Sequence, residues 1–299
     1  MTDPINQSST FERSCQHWSV EGQAGMDAFY RLAAVDYQLL AKQLHWGEVF
    51  AQLQNRFGET VRLLDVACGS GQFPNALLEA GCIDSCPSLN VQYSLLDPSQ
   101  FSINLARQKL RTPFEPAEEW LCTAQELTTP DVPYPVVWAT HALYCVPPDE
   151  LKMALDRMLA AMDSQGLGFI AHASQAAHYL KFHDLYLQTD YAGESLPYCK
   201  GEQIIELLKA KVDASQLKYW AIDYEGTVGL SERETVELYL QRCLFDDQIS
   251  LEQMLQTEPL RTYLHSCMDE NNGVWRFTQK TWLIFYGDLA QQVTDWRAR

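Results

Sequence analysis

The segment LLDVACGSGQF constrains the fold more than any other part of this 299-residue chain. A short apolar run, VRLLDVA (61–67), ends in glycines and passes directly into PNALLEAG (74–81), an amphipathic stretch with Pro74 tolerated in its first turn. A buried strand, a tight turn and a helix are expected in that order. The glycines of Gly69-Ser70-Gly71 permit positive φ and a close backbone approach to a ligand, and the helix start behind them offers unpaired N–H groups.

The same alternation continues. VQYSLLD (91–97) reads as a second strand, followed by a helix over PSQFSINLARQKL (98–110). EEWLCTA (118–124) and PVVWATHAL (135–143) read as the third and fourth strands, with a helix over PDELKMALDRMLAAM (148–162). GLGFIAHAS (166–174) is a fifth strand, EQIIELLKAKV a helix, and KYWAIDYEGTV (218–228) and QKTWLIFYG (279–287) the last two strands. Strands and helices at this spacing predict an α/β fold: a doubly wound, mostly parallel, seven-stranded sheet covered on both faces. The stretch 229–278 is too long for a hairpin loop and rich in helix formers, so a helical insertion is expected there. Residues 1–60, with the helical pattern DAFYRLAAVDYQLLAKQLHW, are expected to form an N-terminal cap on a domain spanning 61–299.

Composition excludes several classes. With 46% hydrophobic and 20% charged residues the chain can bury a sizeable core and is neither disordered nor fibrous. No apolar run reaches the roughly 18–20 residues of a membrane helix. The first eighteen residues lack a secretory pattern, so a cytoplasmic location is expected. Twenty-two basic against 39 acidic residues give a net charge of −17, which disfavours nucleic acid and anionic membranes as partners and favours cations. The nine cysteines are scattered without a C-x-x-C pair and read as free thiols, and no metal site is expected.

The second strand ends in Asp97, placed to accept hydrogen bonds from a ribose diol. A dinucleotide fingerprint would need a third glycine where Pro74 stands, which leaves a nicotinamide cofactor poorly served. Capping the helix that follows is the lesser alternative for Asp97, and His172 reads as a core histidine.

DVACGSG and LLDPS resemble the motifs of class I S-adenosylmethionine-dependent methyltransferases, over about residues 61–287, whose late reversed strand QKTWLIFYG would supply. The resemblance implies S-adenosylmethionine as cofactor, with S-adenosylhomocysteine as product. It implies contacts from Asp65, Gly69, Ser70 and Gly71, from Asp97, Pro98 and Ser99, from Thr123, Ala124 and Gln125, and from Thr140.

A narrower likeness, carried by YRLAAVDYQ, LDPSQFSINLARQK, THALYCVPP and FTQKTWLIFY, is to histamine N-methyltransferases. It implies Asp36 and His141 as catalytic residues. Tyr30, Tyr144, His178, Phe182 and Gln279 would join them around the substrate. Asp36 is one methylene shorter than that family's glutamate, His141 replaces an amide, and His178 replaces a larger aromatic. These departures imply a related small amine or imidazole, probed by Asp36 at its cationic end, and N-methylation by in-line displacement. Two other functions stay open: O-methylation with His141 as base, and cofactor binding without turnover. Oligomeric state is left open.

Overall fold

The computed structural model describes residues 10–19 and 22–298. Positions 1–9, 20 and 21 of the expected cap lie outside the described residues. Three helices come first: α1 (Thr10–His17), α2 (Gln23–Ala41) and α3 (Trp46–Phe57). The alternating region follows as β1 (Thr60–Val66), α4 (Gln72–Glu79), β2 (Asn90–Leu96), α5 (Gln100–Lys109), β3 (Phe114–Trp120), β4 (Tyr134–Thr140), α6 (Leu151–Ala161) and β5 (Met162–Ala173). Then come α7 (His178–Tyr186), α8 (Gly201–Lys209), β6 (Leu217–Gly229), α9 (Arg233–Leu244), α10 (Leu251–Gln256), α11 (Leu260–Ser266), β7 (Met268–Asp269) and β8 (Val274–Tyr286).

The sheet runs β3-β2-β1-β4-β5-β8-β6, with the two-residue β7 paired to β8. Strands β1 to β5 are mutually parallel, and β8 is antiparallel to both β5 and β6. The order reverses between β1 and β4, which opens a crevice beyond their C-terminal ends. The seven expected strands form, and the short β7 makes an eighth that no apolar run announced.

Burial explains the pattern. β4, YPVVWAT, is buried at every position but the last, as a central parallel strand covered on both faces must be. On one face Trp46 of α3, Phe73 of α4, Trp138 and Phe169 pack edge-on or tilted at centroid distances of 5.1–6.1 Å. Each such ring contributes roughly 1.5–3 kcal/mol by leaving water. On the other face Leu155 and Met158 of α6 and Ile204 and Leu208 of α8 cover Val137 and Ile170. Gly168 has no substitute here, because a Cβ would sit 2.1 Å from the Tyr286 ring on β8.

One strand lies elsewhere than expected. The third begins at Phe114 and ends at Trp120, not at 118–124, and five of its seven residues are exposed. It is the sheet's edge strand, so its charged residues face water, while the apolar Leu121 that suggested the later register is 57% exposed in the turn. Between β6 and β8 the chain places α9, α10 and α11, which pack with α7 and Trp275 and Phe277 of β8 into a separate apolar cluster. Among the described residues, no helix is long and apolar enough to cross a membrane.

Four histidines are buried: His17, His172, His178 and His183. Burial lowers each imidazole to about 3, and in His17 the neighbouring Arg242 and Arg13 add to it. The unfolded chain takes up those protons near 6.5, so the folded state loses stability as pH falls below that value. Asp65 and Asp97 act in the opposite sense, since burial raises them to about 7 and about 6 and the folded chain holds their protons first. The four histidines outweigh the two aspartates, so the unfolded chain holds more protons between about pH 4 and 6, and carboxylates held low by their partners, such as Asp156 beside Lys211 and Asp269 beside Asn272 and Arg276, act in the same sense. Urea unfolding at half-unit steps should show stability falling steadily from pH 6 to 4. A flat or rising profile would contradict the assignment of neutral buried histidines.

Candidate active site

The turn after β1 is built from alternating conformations. Ala67, Gly69 and Gly71 all lie at positive φ, at 52°, 51° and 67°, and Gly71 caps α4 in the left-handed region. Asp97 at the end of β2 fixes this turn. Its Oδ2 accepts the Gly69 N–H at 3.0 Å and its Oδ1 accepts the Ser99 N–H at 2.8 Å. The carboxylate is 7% exposed, and burial raises it to about 6 against the opposing pull of those two amides. Lone pairs remain on both oxygens. Ser99 also caps α5, accepting the Ser102 N–H, and its hydroxyl donates to the Trp18 carbonyl at 2.8 Å, tying the segment after α1 to the sheet edge.

A cleft of about 870 Å³ opens above this turn. Of the residues expected around the cofactor, Gly69, Asp97, Pro98, Ser99, Thr123, Ala124, Gln125 and Thr140 line it. Asp65, Ser70 and Gly71 do not. The Asp65 carboxyl lies beneath the turn, where it accepts the Tyr93 hydroxyl at 2.7 Å and burial raises it to about 7. Ser70 is 3% exposed, donating to the Tyr30 hydroxyl and accepting from Gln72. Gly71 serves packing, since a Cβ there would meet the Ala106 Cα of α5 at 3.0 Å. Tyr30, expected at the substrate, lines this first cleft instead. Sequence reading missed Trp18, Tyr37, Cys68 and Gln72, which also line it; Cys68 and Gln72 flank the glycines and were within reach of the motif.

A second cavity of about 860 Å³ adjoins the first. Ser14, Trp18, Tyr37, His141, Ala142 and Cys145 line both, so the two meet at the end of β4. The second is walled by aromatic rings and contains Asp36, Tyr144 and Gln279, as expected. His178 and Phe182 are not among its lining residues. Both sit in the apolar cluster behind it, where His178 Nδ1 lies 2.9 Å from the Tyr263 hydroxyl and the Phe182 ring stacks on the imidazole. Their helix, α7, turns these side chains toward α11 and β8, not toward the crevice. The wall residues Phe29, Tyr179, Tyr224 and Tyr239 carried no motif and were not singled out.

At the junction Asp36 and His141 meet. Asp36 Oδ2 lies 2.5 Å from His141 Nε2, off the axis along which that ring N–H would point, and Asp36 Oδ1 is buried without a partner. The other ring nitrogen, Nδ1, lies 2.6 Å from the Tyr144 hydroxyl, which itself accepts the Ala173 N–H at 3.3 Å. Burial, then the Asp36 charge, holds the Tyr144 phenol well above its ordinary pKa, so it keeps its proton. The Tyr144 hydroxyl and Nδ1 thus share one proton-bearing contact, and Nε2 is buried beside Asp36 without a hydrogen bond. His141 takes φ +53°, a strained value for a non-glycine residue, fixed by its N–H on the Ala171 carbonyl at 2.8 Å. The two candidate catalytic residues are thus one unit. Among the described residues, no group of three histidines, cysteines or carboxylates could hold a metal ion.

Comparison with known proteins bears on the domain and the fold. Residues 63–166 match the family described as "Methyltransferase domain". A provisionally assigned methyltransferase of Bacillus halodurans C-125 is 14% identical, with a TM-score of 0.51 over 81% of this chain and 99% of that one. The plantazolicin methyltransferase BpumL, solved with SAH, is 14% identical at a TM-score of 0.47 over 93% and 95% of the two chains. The N-methyltransferase NodS of Bradyrhizobium japonicum WM9, also with SAH, is 11% identical at a TM-score of 0.41 over 81% and 85%. No curated protein sequence matches significantly. The fold is that of a class I methyltransferase. Nothing in these comparisons points to histamine N-methyltransferase in particular.

The turn geometry ranks two substitutions. Gly71→Ala meets both a left-handed backbone and the 3.0 Å approach to Ala106, whereas Gly69→Ala meets only the backbone strain, with nothing within 4 Å. Gly69→Ala should cost about 1–2 kcal/mol of unfolding free energy, and Gly71→Ala measurably more. Urea titration of both variants checks this; the reverse order would refute the packing role given to Gly71.

Proposed function

We propose that this chain, which carries a methyltransferase domain, transfers a methyl group from S-adenosylmethionine to a nitrogen of a small cationic or imidazole-containing molecule. The observation that supports it best is the meeting of two cavities at His141, one framed by Gly69 and Asp97, the other holding a buried carboxylate among aromatic rings. The first cleft suits the cofactor. Asp97 would take the ribose diol on its remaining lone pairs, Gly69 would lie against the cofactor backbone, and Thr123, Ala124 and Gln125 would flank adenine. Bound there, S-adenosylmethionine supplies an already activated methyl group, so the protein's task is alignment and exclusion of water.

The residues at the junction divide the remaining work. Asp36, from α2, would anchor the cationic end of the acceptor and receive the proton it must lose before attack. His141 holds that carboxylate in place, with its own ring fixed by Tyr144. Nδ1 is engaged with the Tyr144 hydroxyl and Nε2 is buried beside Asp36 without a hydrogen bond, so neither ring nitrogen is open to the cavity, which favours nitrogen acceptors over a mechanism with His141 as direct base. The carboxylate–imidazole contact favours one second reading: O-methylation in which Tyr144 releases Nδ1 and Asp36 orients the base. Asp36 is then required for either chemistry, so its loss does not separate them; the acceptor does.

The test is release of S-adenosylhomocysteine across histamine and other imidazoles, primary and secondary amines, amino acids, phenols and carboxylates. Turnover confined to amines or imidazoles is expected. Turnover confined to phenols or acids would replace this reading with the second. Asp36→Asn should raise KM for the amine at least tenfold while leaving cofactor binding within twofold, and an unchanged KM would remove Asp36 from the substrate site.

A further inference from the structure

We infer that the second cavity carries its nitrogen through more than one methylation, ending at a tertiary amine or a quaternary ammonium; this rests on the amine reading above. The argument is a count of the polar atoms on its wall. The Tyr144 hydroxyl is engaged with His141 and Ala173. The Tyr239 hydroxyl accepts the Gln279 amide at 3.1 Å, the Gln279 oxygen faces the Tyr179 N–H at 3.5 Å, and the Tyr224 hydroxyl pairs with Thr281 at 3.4 Å. These wall groups are paired with one another, whereas Asp36 keeps an oxygen, and His141 a ring nitrogen, without a hydrogen bond. Among the described residues, no lysine or arginine lines the cavity, and Asp36 is its one carboxylate. Eight aromatic side chains, Phe29, Tyr37, Tyr144, Tyr179, Tyr224 and Tyr239 among them, line it beside small and aliphatic residues such as Leu32, Ala142 and Ala173.

A wall of this kind reads charge and apolar bulk, not the number of N–H donors. Primary, secondary and tertiary ammonium ions and a quaternary ion all carry one positive charge. Each added methyl group removes one N–H donor and adds surface that aromatic faces accept through cation–π attraction. In each round an N–H proton leaves to Asp36 and on to water, and the nitrogen lone pair forms the new N–CH₃ bond. The S–CH₃ bond breaks with its electron pair remaining on sulfur. The sequence stops when no N–H proton is left to lose.

Phenethylamine and its N-methyl, N,N-dimethyl and N,N,N-trimethyl forms are the probes, titrated calorimetrically into the full chain saturated with S-adenosylhomocysteine. Dissociation constants within fivefold across the four are expected, and mass spectrometry after turnover should find products two or three methyl groups heavier than the primary amine. Asp36→Asn should weaken all four alike, at least tenfold, with S-adenosylhomocysteine affinity unchanged as the check on folding. Phe29→Leu should weaken the quaternary ion more than the primary amine. A tenfold loss with each added methyl, or a monomethyl product only, would overturn the inference and leave the amine reading standing. Failure of all four to bind a chain that still binds S-adenosylhomocysteine would overturn the amine reading itself.

Discussion

The contact between Asp36 and His141 is the constraint on which the architecture of the site depends. Asp36 comes from a helix that precedes the sheet in sequence, and His141 from the end of the sheet's central strand. Their 2.5 Å approach fixes where α2 lies over the crevice, and with it Tyr30 and Tyr37 on one side and Phe29 and Leu32 on the other. A buried carboxylate is costly unless a cationic or donor group meets it. Here Oδ2 lies beside an imidazole, the Tyr224 hydroxyl is near the carboxylate, and Oδ1 is buried without a hydrogen bond. Under the proposed function a cationic acceptor would supply the missing partner.

The second carboxylate, Asp97, works by the opposite logic. Both of its oxygens are tied to backbone amides, at Gly69 and Ser99, so it is a fixed part of the frame. That frame holds a turn whose residues at 67, 69 and 71 sit at positive φ, a conformation the chain would leave without the clamp. Ser99 extends the frame outward by donating to the Trp18 carbonyl, and Trp18 lines both cavities while its indole lies under the Arg242 guanidinium at 4.3 Å. The glycine turn after β1 and the segment that follows α1 are therefore tied to the same short stretch, 97–99.

What was legible in the sequence followed from local chemistry. The strand–glycine–helix turn, Asp97 after β2 and the period of the strands each depend on a few neighbouring residues, and the structure places them where expected. Edge exposure was not legible: charged FEPAEEW reads as loop until the sheet order shows that one side of it needs no apolar cover. Roles that depend on which way a side chain turns were not legible either. Asp65 and Ser70 belong to the motif yet face its underside, and His178 and Phe182 lie on a helix whose inward face is apolar cluster, not cavity. The aromatic wall was invisible because its rings come from α2, α7, β6 and α9, far apart in the chain, and only the fold collects them.

His141 illustrates how position changes chemistry. As a lone histidine at a strand end it suggested a base, but a base needs a free lone pair aimed at its substrate. Its left-handed backbone turns the ring between Asp36 and Tyr144, and Tyr144 has one proton to give and already accepts from Ala173. Both ring nitrogens are thereby turned to the protein, Nδ1 to Tyr144 and Nε2 to Asp36. The imidazole therefore acts as a strut that positions a carboxylate, and the carboxylate becomes the group with unsatisfied capacity at the junction of the two cavities. On the proposed reading such a site would select its acceptor by charge. The apolar walls would decide which body accompanies that charge, and the first cleft would set the direction from which the methyl group arrives.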